Sequence, residues 1–292
     1  MIPLVTARAR AFLYHTQNAD GGWPFIPGTP SATEPTAIAL LALHHLADET
    51  ARISTWLTAA QHPDGGWGLT AADALSQWHT AWASLALATT EGRACPACQP
   101  ARTWLLNTAS LTLTDPAESA QISRLLRIDP ALRGWPWSPG EAAWVEPTAL
   151  AVLALHAMGA GAGPRVAEGV RYLHDRRCVA GGWNVGNPFM FDTPFEPRAY
   201  PTALALLALS AAPGPAGDAT VPSGLAALMR QMHLEGDPLS LAWGLLALGA
   251  WGERDDEGAR RLLAAQGEDG SWRGQPLVTA AALLWLGGGW PG

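Results

Sequence analysis

Two glutamates stand in the same short frame: Glu34 in ATEPTA and Glu146 in WVEPTA, each followed by the Pro-Thr-Ala that opens an alanine- and leucine-rich run. A carboxyl at the first turn of a helix lies at the positive end of the helix dipole. That field lowers its pKa and makes it a stronger acid, so both are candidate proton donors. An acid at a helix start is also an ordinary N-terminal choice, worth about 0.5–2 kcal/mol, and the doubling favours that role because one reaction needs one donor. Asp192 and Glu196, in FMFDTPFEPRAY, form another acid pair in an aromatic loop, with Arg198 beside them as a neutralising charge. The candidate catalytic residues are therefore Glu146, Glu34 and Asp192.

Trp78, Trp82, Trp144, Tyr200, Trp243 and Trp285 lie on or just before apolar helical runs. An aromatic face stabilises a carbocation by roughly 0.5–2 kcal/mol, although such rings also fill cores by packing alone. With His79, the first five form the candidate substrate-binding set. Cys95-Pro-Ala-Cys98 is a lone CxxC without the second ligand pair that a metal site needs, so no metal is expected. Asp255-Asp256-Glu257 reads as first-turn acids of a helix. Arg124, Arg127 and Arg133 fall in the longest insertion, Asn107 to Arg133. That stretch reads either as a lid whose arginines reach a diphosphate or as a solvated helix.

The elements that must position these residues repeat along the chain. QNADGGW (Gln17 to Trp23) precedes PTAIALLAL, and QHPDGGW (Gln61 to Trp67) precedes HTAWASLAL, 44 residues later. Further copies run from Trp135 to EPTALAVLAL, from Gly181 to YPTALALLAL, and from Gln266 and Trp272 to TAAALLWL. A degenerate copy places Gln231 before SLAWGLLAL. Six repeats of this size mark a repeat architecture. In each, an amphipathic helix comes first, as at Leu4 to Tyr14, Ile53 to Ala60, Val166 to Leu173 and Ala259 to Ala265. A helix apolar nearly all round follows the glycine turn, as at Pro35 to Leu46 or Pro201 to Ser210. Glycine ends the outer helix and proline opens the inner one. The reading is an all-α (α/α)6 toroid, six inner and six outer helices over residues 1–292 as one domain. Closure is expected because neither end looks like a polar cap.

Composition narrows the function. Charged residues are 15% of 292 and the net charge is −7, which argues against nucleic acid as a partner. The chain has no lysine, so a Schiff-base or phosphate-loop lysine is excluded. Three cysteines without framework spacing suit a reducing compartment. The first residues carry no signal-peptide h-region. A cytoplasmic protein is expected, with peripheral contact to a membrane face or a protein partner left open.

The Gln-to-Trp turns after apolar outer helices resemble the QW motif, and the chain is similar over its whole length to the squalene–hopene cyclase and protein prenyltransferase β-subunit superfamily. The resemblance implies a greasy central cavity for an isoprenoid, no cofactor, and bracing roles for Gln17/Trp23, Gln61/Trp67 and Gln266/Trp272. Class II cyclases of this family protonate an alkene from a DxDD motif, which is missing here. Registering that motif on Thr-Ala puts Glu146 at the place of the donating Asp, and Glu34 at the same place one repeat class earlier. His79 in QWHTAW resembles a zinc-binding histidine of prenyltransferase β subunits, but the matching Asp and Cys are absent, so zinc is not expected. The leading expectation is thus a terpene cyclase-like protein that binds an isoprenoid. Alternatives are a non-catalytic toroid that carries lipid or docks a partner, a prenyltransferase β-like subunit, and a carbohydrate-active toroid with paired carboxylates in a Trp-lined groove.

Overall fold

Alternation of one-sided and all-round apolar segments forces two concentric layers, because the second kind of helix can be buried only if helices surround it. The computed structural model describes residues 2–212 and 219–291, with residues 47–49 as backbone only. Its elements are α1 (Ile2–Thr16), α2 (Thr33–Leu43), α3 (Ala47–Ala59), α4 (His79–Glu91), α5 (Cys98–Asn107), α6 (Pro116–Leu126), β1 (Trp135–Pro136), β2 (Ala143–Trp144), α7 (Val145–Ala157), α8 (Pro164–Asp175), β3 (Phe189–Met190), β4 (Thr193–Pro194), α9 (Ala199–Ala211), α10 (Thr220–Glu235), α11 (Pro238–Ala250), α12 (Asp256–Ala264) and α13 (Pro276–Leu286). Helices α2, α4, α7, α9, α11 and α13 pack in that order, and α13 packs back on α2. The inner ring is closed. Every residue of α2 is buried, as is α7 from Val145 to Leu155.

Each outer helix leans on the inner helix before it: α3 on α2, α5 on α4, α8 on α7, α10 on α9, α12 on α11, and α1 on α13. The last contact joins the two ends of the chain. Arg8 there donates to the Gly267 carbonyl at 2.8 Å, and Gln266 donates to the Val5 carbonyl at 2.9 Å. The two antiparallel pairs, Trp135 opposite Trp144 and Phe189 opposite Pro194, are short loop hairpins at the N-terminal end of the inner helices. Among the described residues no helix is long and apolar enough to cross a membrane.

The glycine turns bind the layers together with one repeated set of hydrogen bonds. The indole N–H groups of Trp23, Trp67, Trp135, Trp183 and Trp272 donate to the carbonyls of Leu13, Leu57, Leu105, Leu173 and Leu262, at 2.6–2.9 Å. Those carbonyls lie in the last turns of outer helices, where no intrahelical partner exists. The backbone N–H of each of these tryptophans donates to a threonine of the next inner helix: Thr36, Thr80, Thr148, Thr202 and Thr279. Gln61 donates to the carbonyls of Gly65 and Ala97, tying its turn to the start of α5. Gly65 has φ +92°, and a Cβ there would come within 2.6 Å of the Pro100 carbonyl oxygen, so only glycine lets α5 approach. These bonds tie the turns to the ends of outer helices and to the first turns of inner ones.

Two expectations change. A thirteenth helix, α6, occupies the insertion; it is capped by Asp115, has no buried residue and packs on β3. It is a solvent-facing helix that lies against the β3–β4 hairpin. Cys95 and Cys98 form a disulfide, leaving Cys178 as the free thiol among the described residues. The three cysteines therefore do not carry the argument for a reducing compartment.

Candidate active site at the mouth of the ring

The threonines that bond the turns set a common register for the inner helices. In α11 Leu241 takes the threonine's place, and Asp237 caps the helix instead, accepting from the N–H groups of Leu239 and Ser240. Residues two before and two after that position are four apart and share a helix face. The first layer, the rim, is Glu34, Trp78, Glu146, Tyr200, Leu239 and Leu277, and all six keep some exposure. The second layer, the floor, is Ile38, Trp82, Leu150, Leu204, Trp243 and Ala281, and all six are 0% exposed. Helices α4 and α11 stand opposite one another, yet the Trp82 and Trp243 ring centroids are only 5.3 Å apart. Tyr200 lies 6.1 Å and Trp290 5.9 Å from Trp243. The greasy central cavity that the resemblance implies is therefore closed by side chains at the floor, and the space for a ligand is at the level of the rim, called the cup below.

Glu34 and Glu146 face this cup from α2 and α7. Neither makes a hydrogen bond or ion pair with any described residue, and neither caps its helix. Burial pushes the Glu34 carboxyl up to about 8, with the charge of Glu146 adding to the rise. Burial alone pushes Glu146 up to about 7. The expected lowering by the helix dipole is overturned, because desolvation of a buried carboxylate outweighs a field worth at most about 2 kcal/mol. The Tyr200 phenol is held well above its ordinary value by burial and then by the charges of both glutamates, which places the three groups within electrostatic reach. At the edge, His79 is pushed down to about 4 by burial, against the opposing pull of Asp73. It is neutral, its Nδ1 is buried without a partner, and its ring lies 4.8 Å from Trp78.

The remaining candidates lie elsewhere. Asp192 sits at the tip of the β3–β4 hairpin with φ +62° and a side chain 97% exposed, 3.9 Å from Arg127. It is not brought to the buried acids. Arg198 pairs with Glu235 rather than with Asp192 or Glu196. Trp144 forms the end of β2 and packs where a Cβ on Gly186 would fall, in the loops above the rim. Trp285 lines a cavity of about 500 Å³ at the other end of the ring; a second, of about 550 Å³, also opens near the C-terminal ends of α7 and α9. His62, Ser76 and Asp64 are joined by hydrogen bonds of 2.9 and 2.7 Å, which resembles a hydrolytic triad. Asn18, Ser31 and Asp20 form the same arrangement one repeat earlier, so the cluster belongs to the turn. Among the described residues no three His, Cys, Asp or Glu side chains converge on a metal position.

Trp137 and Trp290 are not among the candidate site residues that the sequence offers. Trp137 meets Trp78 edge-on at 4.5 Å, and its carbonyl accepts from the Trp78 N–H at 3.0 Å. Trp290 reaches Trp243 from beyond α13. Both lie outside the periodic helices; the one local signal is Trp-Pro-Trp for the former and the preceding Gly287-Gly288-Gly289 for the latter.

No protein-family model matches the chain, and no curated protein does. Solved structures do match its fold. A protein from Actinoplanes is 21% identical with a TM-score of 0.66, over 98% of both chains. The type II terpene cyclase MstE from Scytonema is 17% identical with a TM-score of 0.67, covering 98% of this chain and 96% of its own; it has been solved with geranylgeranyl dihydroxybenzoate as substrate. A glycosidase is 13% identical with a TM-score of 0.63 over the same shares. The chain has a terpene cyclase-like helical toroid fold.

Proposed function

We propose that the cup binds an isoprenoid and starts its cyclisation by proton transfer from the Glu146 carboxyl, with Glu34 as its neighbour. The observation that carries this reading is two buried carboxyls without partners above indoles without partners, in a chain that satisfies its other buried indoles. Burial keeps protons on the acids near neutral pH. Two neighbouring carboxyls resist ionising together, so loss of a proton from one strengthens the hold of the other on its own. The Glu146 proton forms a C–H bond with one alkene carbon, using the π pair and leaving a cation on the other. The π pair of the next alkene closes a ring onto that cation. The last cation returns a proton to the carboxylate, so the overall change is an isomerisation. The faces of Trp78 and Tyr200, the rim aromatics that keep some exposure, stabilise the moving charge by roughly 0.5–2 kcal/mol each. Since burial weakens the acid, exclusion of water and positioning of the alkene must supply the rest of the acceleration.

The fold shared with a type II terpene cyclase supports this reading by analogy. A glycosidase shares the fold as well, and paired carboxyls would suit a glycosidic oxygen. The lining favours the isoprenoid: apart from the acids and Tyr200, rim and floor contain no amide, guanidinium or hydroxyl to bind sugar hydroxyls. The test is incubation with isoprenoid alcohols, diphosphates and squalene, with products separated by mass. Glu146→Gln should lose about 10²-fold or more of the product while still binding. Unchanged turnover in that variant removes Glu146 from the reaction; binding without turnover in the wild type leaves a lipid carrier.

A further inference from the structure

We infer that the substrate of this cup is a short, uncharged isoprenoid, of monoterpene or sesquiterpene size, with a hydrocarbon or alcohol end in place of a diphosphate. The inference deepens the reading above and rests on it. Its first support is the floor. Rim and floor are four residues apart on each helix, about 6 Å at 1.5 Å per residue, and every floor side chain is sealed. Trp82 and Trp243 meet across the ring axis, and Trp290 backs Trp243, so a chain cannot thread downward. Trp137, edge-on to Trp78, narrows the space from above. A cyclising chain must keep all its reacting carbons out of water, and a ring closed at its floor does this only for a chain short enough to fold at the level of the rim.

The second support is charge. A bound diphosphate needs cations placed against it; rim and floor hold none, and six arginines outside them are already engaged. Arg127 pairs with Asp192 and lies over Phe189; Arg133 holds Glu168; Arg165 donates to the carbonyls of Arg133 and Gly134. Arg176 is committed to Asp175, Arg198 to Glu235, and Arg52 to the Ala19 carbonyl. The chain has no lysine, and His79 is neutral. The ionisable groups that do face the cup are two carboxyls and a phenol, none of which supplies a cation to a diphosphate.

The experiment is a binding series on the intact wild-type chain by calorimetry, with geraniol, farnesol, geranylgeraniol, squalene and farnesyl diphosphate. Geraniol or farnesol should bind best, with geranylgeraniol, squalene and farnesyl diphosphate weaker by about tenfold or more. Trp243→Ala, which opens the floor, should recover about tenfold for geranylgeraniol. Should that variant not fold, the wild-type series decides alone. Equal or tighter binding of geranylgeraniol or squalene, or of the diphosphate over the alcohol, overturns the inference and leaves the isoprenoid reading standing. Failure of every compound to bind defeats that reading and the inference together.

Discussion

The belt of glycine turns and the centre of the ring are both built on tryptophan, and they treat the indole N–H in opposite ways. In the belt, five turn indoles donate to helix-end carbonyls, and Trp56 and Trp104 of the outer helices donate to Asp20 and Asp64. In the centre, the indole nitrogens of Trp82, Trp243 and Trp290 are buried without partners, as is His79 Nδ1, and two carboxyls stand unpaired beside them. A buried donor without an acceptor costs about 1–3 kcal/mol. A chain that repeats a satisfied arrangement five times around its circumference has the means to satisfy these groups too. Their isolation supports the proposed site.

The comparison can be broken by substitution. The largest effect belongs to the belt: Trp67→Ala removes a fully buried indole and its bond to Leu57, and should destabilise by about 3–5 kcal/mol in urea unfolding. A sharper pair is Trp183→Phe and Trp243→Phe. The first strands the Leu173 carbonyl as well as losing volume; the second loses volume and removes a donor that had no partner. The belt variant should be the less stable of the two by about 1–3 kcal/mol. Equal losses would mean that the centre is ordinary core.

Next in size is the pH dependence of stability. Both glutamates have native values raised above the ordinary 4.5, to about 8 for Glu34 and about 7 for Glu146. Between those limits the native state holds protons that the unfolded state has released, so stability is full below 4.5 and falls as pH rises toward 8. Denaturation midpoints across that range should decline in the wild type, and Glu34→Gln should flatten most of the decline. A wild-type profile that rises over the same range contradicts the burial of the pair. The smallest effect is at the hairpin tip: Asp192→Asn should leave stability and product unchanged, because the side chain is in solvent.

Much of this architecture could be read from local pattern. Helix period, glycine after the outer helix and proline before the inner one lie within a few residues of each other, so the ring, its closure and the register of Glu34 with Glu146 were legible. The contact of Trp82 with Trp243 was not, because it joins opposite sides of a closed ring and no local spacing encodes the diameter. The sign of the glutamate shifts failed for a related reason: the dipole is a property of one helix, whereas desolvation is set by all six. Asp192 looked catalytic for its neighbours in sequence and lies in solvent at a hairpin tip beside Arg127, away from the buried acids. The disulfide was missed because a lone CxxC gives spacing without the loop conformation that brings its sulfurs together.

The central claim is that the ring holds a protonated, unpaired carboxyl pair over its indole floor. Infrared difference spectroscopy of the wild type against Glu34→Gln and Glu146→Gln reads it directly through the carbonyl stretch of a protonated acid. The account predicts such a band at neutral pH, diminished in each variant and fading as the solution is made alkaline. Carboxylates already ionised in mildly acidic solution, with no difference between wild type and variants at neutral pH, would contradict it.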